Sequence, residues 1–176
     1  MLYKKTETAQ ELLEIQALQT ENLPKQLNEE TKLQQGFVTV QHSFEQLEAM
    51  HKIHPHCIAV DRGKVIGYTL SMSASFRNDI AVLKPMFDHI DQSAYGTARY
   101  MVMGQVCIHK EYRGQGVFRK LYQTMQTNFQ QEYDHIITEI DSCNQRSLNA
   151  HKAIGFEEVL RYPHGTQTWV IVSLAL

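Results

Sequence analysis

The sequence predicts an α/β or α+β fold in which helices pack on both faces of one sheet. Short apolar runs with strand character alternate with segments in which apolar residues recur at helical spacing. The order reads strand, two helices, strand, helix, two strands and a long loop, then strand, helix, strand, helix and two strands. Such a mixed order is typical of a sheet covered by helices on both sides. The 176 residues suit a single domain, 1–176, because no repeat, low-complexity tract or Pro/Gly-rich linker divides them.

In the first half of the chain, particular residues mark helix starts and turns. Ser43 precedes a segment with helical periodicity and has Gln46 three residues on, which is the pattern of a capping box. Arg62-Gly63 separates two apolar runs and predicts a hairpin turn. The elements predicted here are a strand near Leu2–Thr6, a helix over 8–23, a second helical stretch ending near Gln35, a strand at 37–40, a helix over 44–53, two hairpin strands within 57–75, and a long loop at 77–98 with one or two helical turns.

The second half of the chain alternates strands and helices more regularly. Gly155 marks the end of a helix, since glycine is common just after a helix C-terminus. The predicted elements are a strand at 99–108, a helix over 116–131, a strand at 135–141, a helix over 145–153, and strands near 156–162 and 167–175 joined by a turn at Pro163–Thr166.

Composition and charge narrow the function classes. The net charge of −2 gives no sign of a nucleic-acid-binding surface. The three cysteines are an odd number without framework spacing, which predicts free thiols and a reducing compartment. The N-terminus has no apolar signal region, and the longest apolar stretch, at 169–176, has the length of a strand and not of a membrane span. We therefore expect a cytoplasmic protein with no membrane or nucleic-acid partner.

The stretch Arg113-Gly114-Gln115-Gly116 lies between a predicted strand and a predicted helix. Glycines at a helix N-terminus let backbone N–H groups approach an anion closely, and the helix dipole adds partial positive charge. Arg113 and Lys110 add full charges, so the stretch predicts a diphosphate-binding loop. The nucleoside-triphosphate loop motif is absent, and Arg119 stands where a dinucleotide fingerprint needs its third glycine. A turn that needs glycine only for its shape remains the alternative.

Two motifs share this part of the chain. Residues 108–116, IHKEYRGQG, match a strand-to-helix loop of the form V-x-P-E-Y-R-G-x-G. Residues 138–140, TEI, followed by Asn144, Ser147, His151 and Gly155-Phe156, match the pattern L-E-V…N-x-x-A/S-x-x-x-Y-x-x-x-G-F. Together they resemble the GNAT superfamily of acyl-coenzyme A-dependent N-acyltransferases, in the branch that includes peptide N-terminal acetyltransferases. The resemblance is clear over residues 99–160.

This resemblance implies a fold, a cofactor and a reaction. The fold would be a mixed, mostly antiparallel central sheet of six to seven strands flanked by helices on both faces. The cofactor would be acetyl-CoA, and its acetyl group would pass by direct attack to a primary amine of a small molecule or peptide, in a protein that could form a homodimer. The residues expected to bind the cofactor are Val106, Cys107, Ile108, Arg113, Gly114, Gln115, Gly116, Val117, Phe118, Asn144 and Ser147. The acceptor would lie near residues 20–36 and 77–98.

The resemblance also suggests the catalytic residues. Glu139 occupies the glutamate position of the second motif and is the candidate base, with Asp141 on the same strand face as the fallback. His151 stands where the family often has a tyrosine thought to protonate the departing thiolate, and it is the candidate acid. A solvated carboxylate and a packed histidine remain the alternatives. Phe118 and Lys110 also depart from the loop motif, where a small residue and a proline are usual.

Several histidines and cysteines outside these motifs are also candidate metal ligands or nucleophiles. His51, His54, His56 and Cys57 crowd one segment, but their spacing fits no common metal site, so we predict a solvated loop and no metal. Cys107 has no activating neighbour in the sequence and is expected to pack as a small hydrophobe. Because the tyrosine position is altered, a non-catalytic acyl-CoA-binding sensor is the main rival function. A structural domain that has lost catalysis is a second, which the intact loop motif argues against.

Overall fold

The computed structural model describes residues 1–23, 38 and 40–176. One seven-stranded sheet has the strand order β1-β2-β3-β4-β5-β7-β6. The helices and strands in chain order are β1 (Leu2–Lys5), α1 (Ala9–Glu21), α2 (Phe44–Ile53), β2 (Cys57–Asp61), β3 (Lys64–Met72), α3 (Lys84–Asp91), β4 (Tyr100–Ile108), α4 (Val117–Phe129), β5 (His135–Asp141), α5 (Gln145–Lys152), β6 (Glu157–His164) and β7 (Gln167–Ala175). The predicted mixed, mostly antiparallel sheet is confirmed.

All neighbouring strands run antiparallel except β4 and β5, which are parallel. These two strands pair only where Tyr100–Val102 faces His135–Ile137. Beyond that point β4 stays paired with β3 as far as Ile108, and β5 stays paired with β7 as far as Asp141. The sheet therefore splits between β4 and β5, and we call this opening the central gap.

Local sequence explains where the helices begin. Thr8 and Ser43 cap α1 and α2, and each forms a full capping box, with Glu11 and Gln46 respectively. The capping box predicted at Ser43 is therefore confirmed. Asn144 begins α5 and accepts the Ser147 N–H at 3.2 Å. Each of these caps satisfies a backbone donor that a helix start leaves without a partner.

Two sequence predictions need correction or fall outside the described residues. The second helical stretch ending near Gln35 and residues 37 and 39 lie outside them, whereas Val38 and Val40, in the predicted strand at 37–40, are not in a strand.

The helical turns predicted within the loop at 77–98 are present as the eight-residue helix α3. It begins at Lys84-Pro85 and buries Met86, Phe87 and Ile90.

The two faces of the sheet carry different helices. On the first face, α1 and α2 bury Leu12, Ile15 and Leu47 against β2 and β3, and α3 packs beside them near Ile137 and Ile171. The second face carries α4 and α5, whose apolar residues pack on β4, β5 and β7. Alternation along β5 sends Glu139 to the first face, together with Ile137, and Ile136 and Ile140 to the second. No helix among residues 1–23 and 40–176 is long and apolar enough to cross a membrane.

Candidate active site

A cavity of about 290 Å³ lies where β4 ends and where α4 and α5 begin. Every residue that the sequence predicts to bind the cofactor lines it except Gln115, whose side-chain amide donates to the Glu111 carbonyl at 2.7 Å. The lining residues among them are Val106, Cys107, Ile108, Arg113, Gly114, Gly116, Val117, Phe118, Asn144 and Ser147. The structure therefore brings together segments that are separated along the chain.

The glycine loop gives this cavity an open helix start. Gly114 and Gly116 have φ values of 74° and 80°, which side-chain-bearing residues rarely adopt. Gly116 is the N-cap of α4 and has no side chain to cap the helix start, in contrast to the capping residues of α1, α2 and α5. A Cβ built on either glycine meets no atom of the described residues within 4 Å. Uncapped N–H groups beside open space fit a bound diphosphate.

Arg113, which lines the cavity, also has a structural role. Its Nε donates to the Ile108 carbonyl at 2.9 Å, and its guanidinium also donates to Asn22 Oδ1 at 2.6 Å. Arg113 therefore links the end of α1 to the end of β4 and stabilises the position of the glycine loop. Arg146, which the sequence analysis missed, is exposed and lines the same cavity from the first turn of α5. A cation there opposes the helix dipole, and this mismatch was the available sequence signal.

A second cavity, of about 70 Å³, adjoins the first along the central gap. The two cavities share four lining residues: Val38, Val106, Asn144 and Ser147. Glu139 and Trp169 line only the smaller one. A ligand with its anionic part at the start of α4 thus has a continuous route, along β4, to the Glu139 side chain.

Glu139 lies in this smaller cavity and is mostly buried. Burial raises the pKa of its carboxyl group to about 7, although the hydrogen bond that Glu139 accepts from the Tyr162 hydroxyl acts in the opposite direction. A carboxylate with this pKa takes up and releases a proton near neutral pH, which suits a general base. Asp141, the fallback base, has its two oxygens engaged by the Cys143 N–H at 2.8 Å and the Gln167 side-chain amide at 2.6 Å. It therefore holds the turn between β5 and α5.

His151 does not meet the requirement that an acid be free to take up a proton. The residue is 1% exposed. Its Nδ1 donates to the Ser147 carbonyl at 2.8 Å, so its Nε2 is the acceptor for the Tyr122 hydroxyl at 2.6 Å. Burial lowers the pKa of the ring to about 4, so it is neutral at pH 7. His151 is among the residues that line the smaller cavity, although little of it is exposed. Its burial and its two hydrogen bonds support the packing alternative, which the motif position alone could not indicate.

The remaining candidate residues are packed and hydrogen-bonded. Burial raises the pKa of the Cys107 thiol to about 12, which makes it a poor nucleophile. The solvated loop predicted around His51–Cys57 is wrong for His56 and Cys57, which are buried. The His56 Nε2 donates to the Leu47 carbonyl at 3.1 Å. Among the described residues, no group of three or more His, Cys, Asp or Glu side chains could hold a metal ion.

Comparison with known proteins agrees with this geometry. A family model described as the acetyltransferase (GNAT) family matches residues 13–156, and the chain belongs to this family. Its cofactor is therefore acetyl-CoA, and the open start of α4 and the adjoining cavities fit that molecule. No curated protein sequence matches the chain at a significant level.

Solved structures share the fold at low sequence identity. A ribosomal-protein-alanine N-acetyltransferase from Brucella melitensis is 17% identical, with 100% of both chains covered and a TM-score of 0.67. A chain of the NatC complex bound to Gag peptide and CoA is 19% identical, with 99% of this chain and 98% of that chain covered and a TM-score of 0.67. A phosphinothricin acetyltransferase from Sinorhizobium meliloti, in complex with AcCoA, is 19% identical, with 99% and 88% covered and a TM-score of 0.66.

The glycine loop yields a prediction with a matched control. Gly116→Val places a branched side chain over the N–H groups at the start of α4, and we expect the affinity for coenzyme A, measured by calorimetry, to fall about tenfold or more. Gly63, in the β2–β3 turn, has a similar φ of 77° and equally open surroundings. Gly63→Val should therefore cost similar backbone strain, roughly 1–2 kcal/mol, and leave the affinity unchanged. A folded Gly116→Val variant that binds coenzyme A as the parent does would contradict the assignment.

The enclosure of His151 yields a second prediction. His151→Phe leaves the buried Tyr122 hydroxyl without its acceptor and removes the ring's hydrogen bond to the Ser147 carbonyl, so the free energy of unfolding at pH 7 should fall by roughly 1–3 kcal/mol. Burial lowers the pKa of the folded ring to about 4, from the ordinary 6.5. Between pH 6.5 and about 4, His151 is therefore protonated in the unfolded chain but neutral in the folded protein, and the parent loses stability as pH falls. The variant has no histidine at this position and does not lose stability in this way. The difference in the free energy of unfolding between parent and variant should therefore be smaller at pH 5 than at pH 7. Urea unfolding at both pH values tests this, and an equal gap would mean that the ring is not enclosed and neutral.

Proposed function

We propose that this protein transfers the acetyl group of acetyl-CoA to a primary amine of a small molecule or a peptide, with Glu139 as the general base. The observation that carries the proposal is the position of Glu139. Its carboxylate lies at the edge of the central gap, in a cavity that shares lining residues with the one at the open start of α4. Base and cofactor-binding loop thus face one continuous space.

The residues at the glycine loop bind and orient the cofactor in this proposal. The N–H groups at the start of α4 hold the diphosphate, and Arg146 adds a positive charge at the same cavity. The edge of β4 from Val106 to Ile108, which faces the gap, offers backbone groups to the pantetheine in the manner of an added strand. Bound acetyl-CoA supplies the activated acetyl group.

Glu139 removes the proton that the acceptor must lose. Primary amines are mostly protonated at neutral pH, and attack requires the neutral form. Near pH 7 about half of the Glu139 carboxyl groups would be ionised, because burial raises the pKa of this group to about 7. The protein therefore holds a base of suitable strength within the smaller cavity, directly or through one water molecule.

His151 acts in this proposal as a packing and positioning residue and does not protonate the sulfur. Its two ring nitrogens bridge Tyr122 of α4 and Ser147 of α5, so it fixes the two helices that frame the cofactor cavity. A departing thiolate has a conjugate acid with a pKa of ~8.5 and can take its proton from water. The altered tyrosine position is therefore compatible with turnover.

The charge around the smaller cavity favours a cationic acceptor. Its charged lining residues among the described part of the chain are the two carboxylates Glu139 and Asp141. An ammonium group is attracted to such a site, whereas a carboxylate next to the amine would be repelled. We infer that amines without an adjacent carboxylate, including peptide N-termini, are better acceptors than free α-amino acids.

Coenzyme release tests turnover against the sensor alternative. Acetyl-CoA is incubated with the protein and a panel of amines and N-terminal peptides, and free thiol is measured with a thiol reagent. Acceptor-dependent release supports acetyl transfer. Tight binding of acetyl-CoA with no release above the amine-free control, across the whole panel, would favour the non-catalytic sensor.

The base assignment gives a third prediction. Glu139→Gln keeps the shape and removes proton acceptance, so turnover at pH 7 should fall by about 10²–10⁴-fold while the affinity for coenzyme A stays nearly unchanged. The parent rate should rise with pH through an apparent pKa near 7, since the ionised carboxylate is the active form, and the variant should lack this rise. Glu158→Gln is the matched control, because Glu158 is an exposed carboxylate that pairs with Arg161 at 2.7 Å on β6. An unchanged pH–rate profile for Glu139→Gln would exclude Glu139 as the base.

A further inference from the structure

The Glu139 side chain has a partner that lies two strands away. Tyr162 of β6 donates its hydroxyl hydrogen to Glu139 Oε2. Strand β7 lies between β5 and β6, so the phenol spans β7 to reach the carboxylate. Two strand spacings amount to about 10 Å, and a tyrosine extended over the sheet face together with a glutamate can bridge that distance.

A β-bulge determines which face Tyr162 occupies. Strand β6 pairs in one register up to Glu158 opposite Val172, and in a register shifted by one from Leu160 opposite Ile171 onward. In the shifted register Tyr162 faces Trp169, whose side chain lies on the same face as Glu139. Without the shift Tyr162 would face Thr168 and point to the opposite face of the sheet. Bulges that redirect a side chain in this way occur often beside active sites.

Helix α3 holds the tyrosine ring from the other side. The His89 ring packs on the Tyr162 ring with a centroid distance of 4.1 Å and an interplanar angle of 35°. Tyr162 is 4% exposed and belongs to the core cluster that also contains Phe87 and Ile90 of α3. The hydroxyl is therefore fixed in position before any ligand binds.

We propose that Tyr162 is the positioning residue of the base: its hydroxyl holds the Glu139 carboxylate at the edge of the central gap, and His89 holds Tyr162 in turn. This inference rests on the proposed function, because it assigns a role relative to Glu139 as the base. The hydroxyl stabilises the ionised carboxylate, so it also counteracts the effect of burial on Glu139.

Several other titratable groups on the elements packed here have partners or contacts of their own. Tyr100 of β4 accepts from the Arg77 guanidinium at 3.4 Å, and Arg77 pairs with Asp91 of α3 at 2.6 Å. Asp141 of β5 accepts hydrogen bonds from Cys143 and Gln167, and Arg161 of β6 pairs with Glu158. The Tyr95 ring packs on the His135 ring. His151 is hydrogen-bonded to Tyr122 and Ser147 on the opposite face of the sheet. The Tyr162 hydroxyl is the side-chain donor that lowers the pKa of Glu139.

The test compares Tyr162→Phe with the parent in two independent measurements. The first is an NMR titration of the Glu139 side-chain carboxyl in ¹³C-glutamate-labelled protein without cofactor, with Glu139→Gln used to assign the signal. Loss of the donated hydrogen bond should raise the midpoint by about one pH unit. The second is the pH–rate profile, in which the acid limb should move upward by a similar amount and the rate at pH 7 should fall several-fold. The rate should recover toward the parent value at high pH, which a merely structural defect would not allow.

Two further variants complete the design. Tyr133→Phe removes a tyrosine hydroxyl that hydrogen-bonds a histidine, His54, at 2.6 Å outside the site, and it should move neither measurement. His89→Ala should raise the Glu139 midpoint by less than Tyr162→Phe does, since it loosens the ring and keeps the hydroxyl. An unchanged Glu139 midpoint in Tyr162→Phe would overturn the inference. If the midpoint moves but Glu139→Gln is as active as the parent, the positioning contact stands and the base assignment fails, so the two failures are distinguishable.

Discussion

The short parallel pairing of β4 and β5 is the constraint on which the site depends. Backbone groups of two neighbouring strands normally satisfy one another, and here they do so only between Tyr100–Val102 and His135–Ile137. Because β3 and β7 continue to pair with their outer edges, the two strands stay extended while they separate. Their inner edges then face a space instead of each other. A cofactor with an amide-containing arm can fill this space as a strand would, and the helices that follow β4 and β5 both begin beside it.

The two faces of the sheet deliver different chemistry to this gap. On one face, the uncapped start of α4 and the start of α5 line the cofactor cavity, and His151 links the two helices by hydrogen bonds. From the other face come Glu139 and Tyr162, supported by α3. The alternation of side chains along β5 separates the two sets, since Glu139 and its neighbours at 138 and 140 point to opposite faces. The cofactor cavity and the proposed base thus reach the same opening from opposite faces, without competing for the same core volume.

The features that depend on local signals could be predicted from the sequence. Ser43 with Gln46 predicted a capping box, and the glycine pair predicted the open start of α4, because both depend on residues within one turn. Features that depend on distant packing could not be predicted in this way. The enclosure of His151 requires Tyr122, and the contact of Tyr162 with Glu139 requires a β-bulge in β6. None of these partners is adjacent in the sequence, and the motif position of His151 gives its place on the helix but not its burial.

Burial acts on Glu139 and His151 with opposite consequences for stability. Between about pH 4.5 and 7 the folded protein keeps a proton on Glu139 that the unfolded chain has released, so the free energy of unfolding falls as pH rises through this window. For His151, the unfolded chain binds a proton between 6.5 and about 4 that the folded ring does not, so stability falls as pH falls. Enclosing the histidine therefore stabilises the fold at neutral pH relative to acid. Burying the glutamate does the reverse. If Glu139 is the base, as we propose, it must ionise to act, and its burial is then a destabilising feature retained for function. The Tyr162 hydroxyl offsets part of that cost, which explains why a core tyrosine should be directed by a bulge toward a single carboxylate.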